Sequence, residues 1–541
     1  MAVHCTRYML YGKTLCPIHL LICLVLISAS GIFNELIAQT DTSSKKYYIS
    51  SSGNDDDPGT SARPWKTLKH INQISLHAGE EVYLKGGDYF DGPLVLDSLD
   101  LGTAESPVSI NSYGKGKAII NGENGNGIEL RKCRYIVVGN FIVKGNGRKN
   151  GNTGRGLFLA DAENISVNQI DVSGFQKGGV EVADCSQISL KNINATNNGF
   201  AGIVVTGNYY PQSSNHHIYI GYCKAKDNPG DPTELNNHSG NGIVVGLASN
   251  VLIEFCVATN NGWDMPRKGN GPVGIWAWES DSVVIQQCIS YRNHTVPGAM
   301  DGGGFDLDGG VTNSIVQYNL SYENEGYGYG IFQFSGATPW HNNIFRYNIS
   351  FNDGNITQHG ASILWWNGSK DSSQFHDCYI FNNLLYNSKG YALGVIPNEY
   401  DNSRFFFLNN ILVAKDELMS GGNIRQEQFY GNDWWSIQSK FKINGNTSFK
   451  NWIAKTGKEN LNGKIVGHNT KPDLLHPATP TLDDPRFLQK LYFFKLDLNS
   501  LLRNTGLDLK KLFHLDTGGR DFYGHHVPLG ESCEPGVFEI E

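Results

Sequence analysis

The chain is 541 residues long with a net charge of −8; 63 residues are glycine, 18% are charged and 11% are aromatic. Such aromatic content excludes a disordered chain, and the acidic balance excludes a strongly basic nucleic-acid binder. A helical bundle would draw on Ala, Leu, Glu and Lys, whereas Gly, Asn, Ile, Val and Tyr set the tone here and point to a long β-protein with many tight turns.

At the N-terminus, Arg7 and Lys13 precede the apolar run Leu20–Ile27, the charge-then-apolar order of a secretory signal peptide. Residues 1–38 are therefore expected to be a signal peptide and residues 39–45 a short linker. The mature protein is expected outside the cytoplasm: secreted, periplasmic or at the cell surface. No later segment reaches about 18 apolar residues, so no membrane span is expected after cleavage.

From residue 46 to 412 a repeat takes over. Nine first strands open on a small residue and then alternate, among them GIELR (127–131), GIVVT (202–206), GIWAW (274–278), GFDLD (304–308), GIFQF (330–334) and SILWW (362–366). Each leads to a second strand and an Asn-rich turn, and no segment has a helical period. Repeats of about 20–40 residues made of short strands predict a parallel β-helix, an all-β solenoid whose coils stack about 4.8 Å apart. Aligned on their apolar residues, the second strands place Cys223, Cys256, Cys288, Asn319, Asn348, Asn383 and Asn410 in one column. That column predicts buried ladders of like side chains, with the cysteines reduced and the sequons at Asn319 and Asn348 closed to glycosylation. Cys133 and Cys185, each six residues after a repeat glycine, predict a second turn ladder.

The site follows from strand phase. With the residue after each glycine pointing inward, the third and fifth positions point outward. These outward positions hold Trp276 and Trp278, then Asp306 and Asp308, then Phe332 and Phe334, then Leu364 and Trp366. Five aromatics around two carboxylates predict a sugar-binding groove, in which rings stack on sugar faces and carboxylates act as acid, base or nucleophile. Asp301, Glu279 and Glu325 flank the same coils as further carboxylates. Arg267 and Lys268, in WDMPRKGNG, and His341 and His359, in later turns, complete the candidate substrate-binding set. The aromatic excess is expected to be concentrated around the two aspartates.

The opening YYISSSGNDDDPGTSARPWKTL (47–68) and the stretch 274–334 resemble exported proteins of the pectin-lyase-like superfamily. The resemblance implies a single-stranded right-handed parallel β-helix with an N-terminal helical cap around residues 65–74. It also implies a carbohydrate-active protein whose partner is a polysaccharide or oligosaccharide. Three functions are consistent with it. The first is a glycoside hydrolase using Asp306 and Asp308, with Asp301 as a third carboxylate and no cofactor. The second is a polysaccharide lyase or epimerase with Ca2+ at Asp301, Asp306 and Asp308 and a base such as Arg267 or Lys268. The third is a non-catalytic carbohydrate-binding surface protein. Residues 413–541 break the repeat, hold a short helix in SFKNWIAKTGKE and Pro-rich strands beyond it, and are expected to form an irregular C-terminal capping region of a monomer.

Overall fold

The computed structural model describes residues 44–541, apart from 210–212, 355–359, 398–401, 422–423, 439–440, 530–531 and 541. The expected signal segment and most of the linker lie outside the described residues. The described chain is a right-handed parallel β-helix of three long sheets, with 12, 14 and 13 strands. One coil shows the order: Gly303–Leu307 belongs to the first sheet, Ile315–Gln317 to the second and Leu320–Tyr322 to the third. Each strand pairs in parallel with its counterparts in the coils before and after, as Ile275 does with Phe305 and Ile243.

The single second strand expected from the sequence is two strands joined by a sharp bend. A non-glycine residue in the left-handed region makes that bend in coil after coil: Tyr222, Phe255, Gln287, Tyr318, Tyr347, Asn382 and Asn409. The next residue is the ladder residue, whose side chain satisfies the bend's backbone. The Cys223 amide donates to Cys256 Sγ, the Cys256 amide to Cys288 Sγ (both 3.4 Å) and the Cys288 amide to Asn319 Oδ1 (2.9 Å). From there each Asn Nδ2 donates to the next Asn Oδ1, through Asn319, Asn348, Asn383, Asn410 and Asn432, at 2.9–3.1 Å. The last donor ends on Glu459 Oε1 at 2.8 Å. A parallel ladder of Asn198, Asn228, Asn261, Asn293 and Asn324 ends on Asp353 Oδ1. All seven described cysteines are free and buried. Asn319 and Asn348 are sealed in the interior.

The residue after each repeat glycine points inward as expected; Ile128, Leu157, Val180, Ile203, Ile243, Ile275 and Phe305 are all buried. Each such side chain contributes about 1.5–3 kcal/mol of apolar burial. The aromatic excess lies largely in this interior and not around the aspartates: Trp340, Trp365, Trp434, Phe345, Phe375 and Tyr329 are among the largest fully buried side chains. The later coils use these rings to fill a lumen that the earlier coils fill with Ile, Leu and Val.

At the N-terminal end the helix Leu68–Ile71, shorter than the expected cap, buries Leu68 and Ile71 against the first coils. Strand stacking continues past residue 412 through Met419–Gly421, Gln428–Tyr430 and Asp433–Ser436, although the glycine-led pattern has lapsed. The short helix Phe449–Thr456 then buries Trp452 and Ile453 over the end of the lumen. The Pro-rich segment beyond residue 470 forms turns and short helical turns, Pro485–Lys490, Tyr492–Phe494 and Leu509–Phe513, because its prolines interrupt any ladder. Leu488, Phe494, Leu502, Phe522 and Phe538 pack there on Ile289, Leu320, Ile349, Leu384 and Ile411 of the third sheet. The described C-terminal residues in this cluster thus pack on the third sheet, and none of them joins the cluster on the outer face of the first sheet. Among the described residues no helix is long and apolar enough to cross a membrane.

Candidate active site

The outer face of the first sheet carries the two columns expected from strand phase, with one change of register. Asp306 pairs with Trp276 on one side and with Gly330, not Phe332, on the other. The segment Tyr327–Gly330 offers two glycines in the same phase, and the coil uses Gly328 as its repeat glycine: the Phe305 amide donates to Gly328 O at 2.9 Å. The first column thus runs Val244, Trp276, Asp306, Gly330, Leu364, and the second runs Gly246, Trp278, Asp308, Phe332, Trp366. Phe334 falls past the end of its strand and leaves the column, with its ring against Gly309.

The first column is not an open groove. Trp276, Asp306 and Leu364 are only 4%, 2% and 5% exposed, and the Trp276 and Leu364 side chains join Ala201, Val204, Val244, Tyr327 and Phe332 in a small apolar cluster outside the lumen. The second column is more open, with Trp278, Asp308 and Trp366 half-buried. The Trp278 indole lies over Gly246 and the Trp366 indole over Gly368, so the flat rings follow the sheet surface. Tyr209, exposed and 6.0 Å from Trp278, extends this strip.

Three carboxyls meet in this setting. Tyr327 OH, buried, donates to Asp306 Oδ2 at 3.2 Å and lies 3.3 Å from Asp301 Oδ1. Asp301 Oδ2 accepts from the Gly271 amide at 2.7 Å, and Asp308 Oδ1 from the Gly309 amide at 2.7 Å. Asp306 Oδ1 is buried with no hydrogen-bond partner among the described residues. A Cβ at position 330 would stand 2.8 Å from that atom, 2.6 Å from Tyr327 Cε2 and 2.7 Å from Phe332 Cε2, so glycine is what lets these three groups approach.

Burial dominates the electrostatics. It pushes Asp308 up to about 7, with the charges of Asp301 and Glu279 adding to the rise. It pushes Asp301 up to about 6 against the Gly271 and Tyr327 hydrogen bonds and the positive charge of Arg267. Asp306 is driven well above the usual carboxylate range by burial and then by Asp308 and Asp301. At neutral pH the cluster therefore retains protons that exposed aspartates would have lost.

The remaining candidates are scattered. Arg267 stands beside the cluster, with Nε donating to Asn237 O and Nη2 to Asn270 O. Lys268 is exposed next to Gly298. His341 belongs to the second sheet, stacked 5.1 Å from His376, and does not reach the carboxyls. His359 lies outside the described residues. Glu279 accepts from the Thr338 amide, and Glu325 accepts from His294 and Thr295, so both are held in turns. Among the described residues no three His, Cys, Asp or Glu side chains converge at metal-ligand spacing. Strand phase gave no sign of Tyr327 or of His238 and Asn241, which sit against Trp276. Tyr327 could have been found from the doubled Tyr-Gly of its coil, whereas His238 lies in a long loop without periodicity.

Comparison with known proteins agrees with this architecture. Lacto-N-biosidase of Bifidobacterium longum is 24% identical over an alignment of 519 residues that covers 74% of this chain and 31% of that protein. A Bacillus subtilis protein, YwoF, is 28% identical over 93 residues, 17% of this chain and 19% of its own length. The chain thus spans about a third and about a fifth of these two curated relatives. Among solved structures, the GH136 lacto-N-biosidase from Eubacterium ramulus superposes with a TM-score of 0.45 at 18% identity, covering 71% of this chain and 68% of that one. Pectate lyase Pel9A gives 0.42 at 14% identity, covering 92% and 97%. The family model of the Pel9A-like right-handed β-helix region matches residues 47–361, more than half of the sequence, and the chain belongs to that family.

Proposed function

We propose that the protein is a carbohydrate-active enzyme, a glycoside hydrolase whose chemistry resides in Asp301, Asp306 and Asp308. The observation that carries this reading is the Tyr327-linked carboxyl cluster beside half-open indoles. Glycoside hydrolysis needs one carboxyl that keeps its proton near neutral pH and one that is ionised, both within reach of the same bond. Access orders the three. Asp308, half-buried at the rim with its proton held to about pH 7, suits the acid that protonates the leaving oxygen. Asp301, half-buried and oriented by the Gly271 amide, suits the carboxylate that acts as nucleophile or activates water. Asp306, 2% exposed, sits behind them as the neutral carboxyl that Tyr327 holds in place. Trp278 and Trp366, half-buried, would stack sugars along the strip, whereas Phe332, only 6% exposed, packs beneath them. The similarity to Bifidobacterium longum lacto-N-biosidase supports the hydrolase reading, and export through residues 1–38 would bring the enzyme to glycans outside the cell.

The test is a panel of plant, algal and host-type oligosaccharides with product analysis. Saturated reducing-end products from the wild type, lost by at least a thousandfold in Asp301→Asn and Asp308→Asn, are expected. Unsaturated products absorbing in the ultraviolet and abolished by a chelator would replace the hydrolase with the Ca2+-assisted lyase. Wild-type rates in either variant would overturn the assignment of the carboxyls.

A further inference from the structure

Next to the carboxyl cluster lies a histidine that the proposed mechanism leaves unused. His238 is 7% exposed, with its ring 4.8 Å from Trp276 at 73° and 5.6 Å from Phe200. Asn241 Oδ1 accepts from the Trp276 indole N–H at 3.1 Å and from the Val273 amide at 3.3 Å. Both partners are donors only, so the oxygen of that side chain is fixed and Asn241 Nδ2 is what faces His238 Nδ1, at 2.9 Å. An amide nitrogen can only donate, so Nδ1 must carry its lone pair and the ring proton must sit on Nε2. A second proton is resisted as well: burial and the nearby Arg267 charge push the imidazole down to about 4. His238 is thus neutral across the physiological range and cannot exchange protons with a substrate there, because its basic nitrogen is already engaged.

What remains is Nε2–H. Among the described residues no acceptor faces it, and it is not among the fully buried unpartnered atoms, so it keeps access to the space outside the protein. A donor held by two aromatic rings and a fixed tautomer, yet left without an acceptor, is suited to a ligand. The loop that carries it is itself braced, since Asn237 O accepts from Arg267 Nε at 2.8 Å and the His238 amide donates to Asn237 Oδ1 at 2.8 Å. Arg267 is the cation whose field reaches both His238 and Asp301, so the imidazole and the carboxyls share one neighbourhood. Trp276 links them through the sheet, since it touches the His238 ring and pairs in register with Asp306.

We infer that His238 is a substrate-positioning residue, a neutral imidazole that presents Nε2–H to an acceptor oxygen of the sugar bound next to the carboxyl cluster. The inference rests on the carbohydrate reading of that site. It assigns the Trp276 side of the carboxyl cluster to a sugar substituent rich in acceptors, a hydroxyl or carbonyl oxygen, in place of an apolar face. Asn241 acts one step further back, by holding the tautomer and the Trp276 indole at once.

The experiment combines two variants with two readouts. His238→Leu keeps the apolar packing and removes the donor, whereas His238→Gln restores an N–H close to the position of Nε2. Affinities of wild type and variants are measured against a panel of neutral, N-acetylated and uronate oligosaccharides. Long-range 15N–1H spectra of the wild type report the tautomer. Expected are an Nε2–H ring that stays neutral from pH 5 to 8, roughly tenfold weaker binding and a raised KM in His238→Leu, and recovery to within about threefold in His238→Gln. Thermal transitions should agree within 2 °C between the two variants, which separates the lost donor from lost packing. An Nδ1–H or protonated ring, or equal losses in the two variants, or unchanged affinity in His238→Leu while the panel is still hydrolysed, would overturn this inference and leave the enzyme assignment standing. A panel that yields neither binding nor product would overturn the enzyme assignment, and this inference with it.

Discussion

Replacing Asp308 by Asn should make the protein more stable at neutral pH even as it removes the proposed acid. In the unfolded chain this carboxyl titrates near 4, whereas in the fold burial pushes it up to about 7. Between those values the folded state keeps a proton that the unfolded state has released. Asp308 therefore costs nothing below about pH 4, costs more as pH rises, and reaches its full cost above about pH 7. Three units at about 1.36 kcal/mol each set a ceiling of about 4 kcal/mol. The side chain is half-buried, so solvent screening reduces this to about 2 kcal/mol. For a folded unit of roughly 500 residues the entropy of unfolding is about 1 kcal/mol per kelvin, so the midpoint shifts by about 2 °C. Calorimetry of wild type and Asp308→Asn at pH 4.5 and pH 8 reads this directly. The two midpoints should coincide within about 0.5 °C in acid and separate to about 2 °C, with the variant higher, at pH 8. A separation independent of pH, or a less stable variant at pH 8, would refute the placement of Asp308 in a proton-retaining pocket.

Four further outcomes follow from the geometry. Asn348→Ala deletes four buried hydrogen bonds, two accepted from Asn319 and two donated to Val316 O and Asn383 Oδ1, and should cost about 3–5 kcal/mol in denaturant unfolding. Cys256→Ala, one ladder position where sulfur makes only 3.3–3.5 Å contacts, should cost about 1–2 kcal/mol, and a reversal of that order would refute the ladder's energetics. Gly330→Ala should lower kcat at least tenfold and stability by about 1–3 kcal/mol, because the new methyl overlaps Tyr327, Phe332 and Asp306; wild-type kinetics would show that the cluster is looser than described. Trp278→Ala should raise KM about tenfold with a smaller effect on kcat, since that ring touches sugar rather than the reacting bond, and an effect confined to kcat would contradict it.

The alternation of each first strand was legible because its period of two is set by backbone geometry, and it put Ile275 and Phe305 inside and Trp278 and Asp308 outside. The step between coils was less legible. At Tyr327–Gly330 two glycines two residues apart satisfy the same phase, and only the Phe305–Gly328 backbone bond decides between them. The sharp bend before each ladder residue was hidden because Tyr222, Phe255 and Tyr347 take the left-handed conformation that a reader assigns to glycine. What covers the first column is a matter of loops, and loops carry no period. Trp276 thus reads as exposed in its strand, although the structure packs His238 and Asn241 on it. The cysteines were legible for the opposite reason: stacking repeats the same environment, so one column of aligned residues predicts its neighbours.

Both asparagine ladders run in one direction, each amide handing its donor to the coil that follows. A queue of that kind has a surplus hydrogen at its leading end, and in this molecule a carboxyl waits there: Glu459 for one ladder and Asp353 for the other. The acids act as terminators, so the length of each queue is independent of how many coils stand in it. A whole coil inserted between Asn348 and Asn383 would join the queue at both faces, whereas one inserted after Asn432 would separate the last amide from Glu459. The solenoid is thus extensible in its middle and closed at its end, a polarity that favours growth and loss of coils in the central stretch where the carboxyl cluster sits.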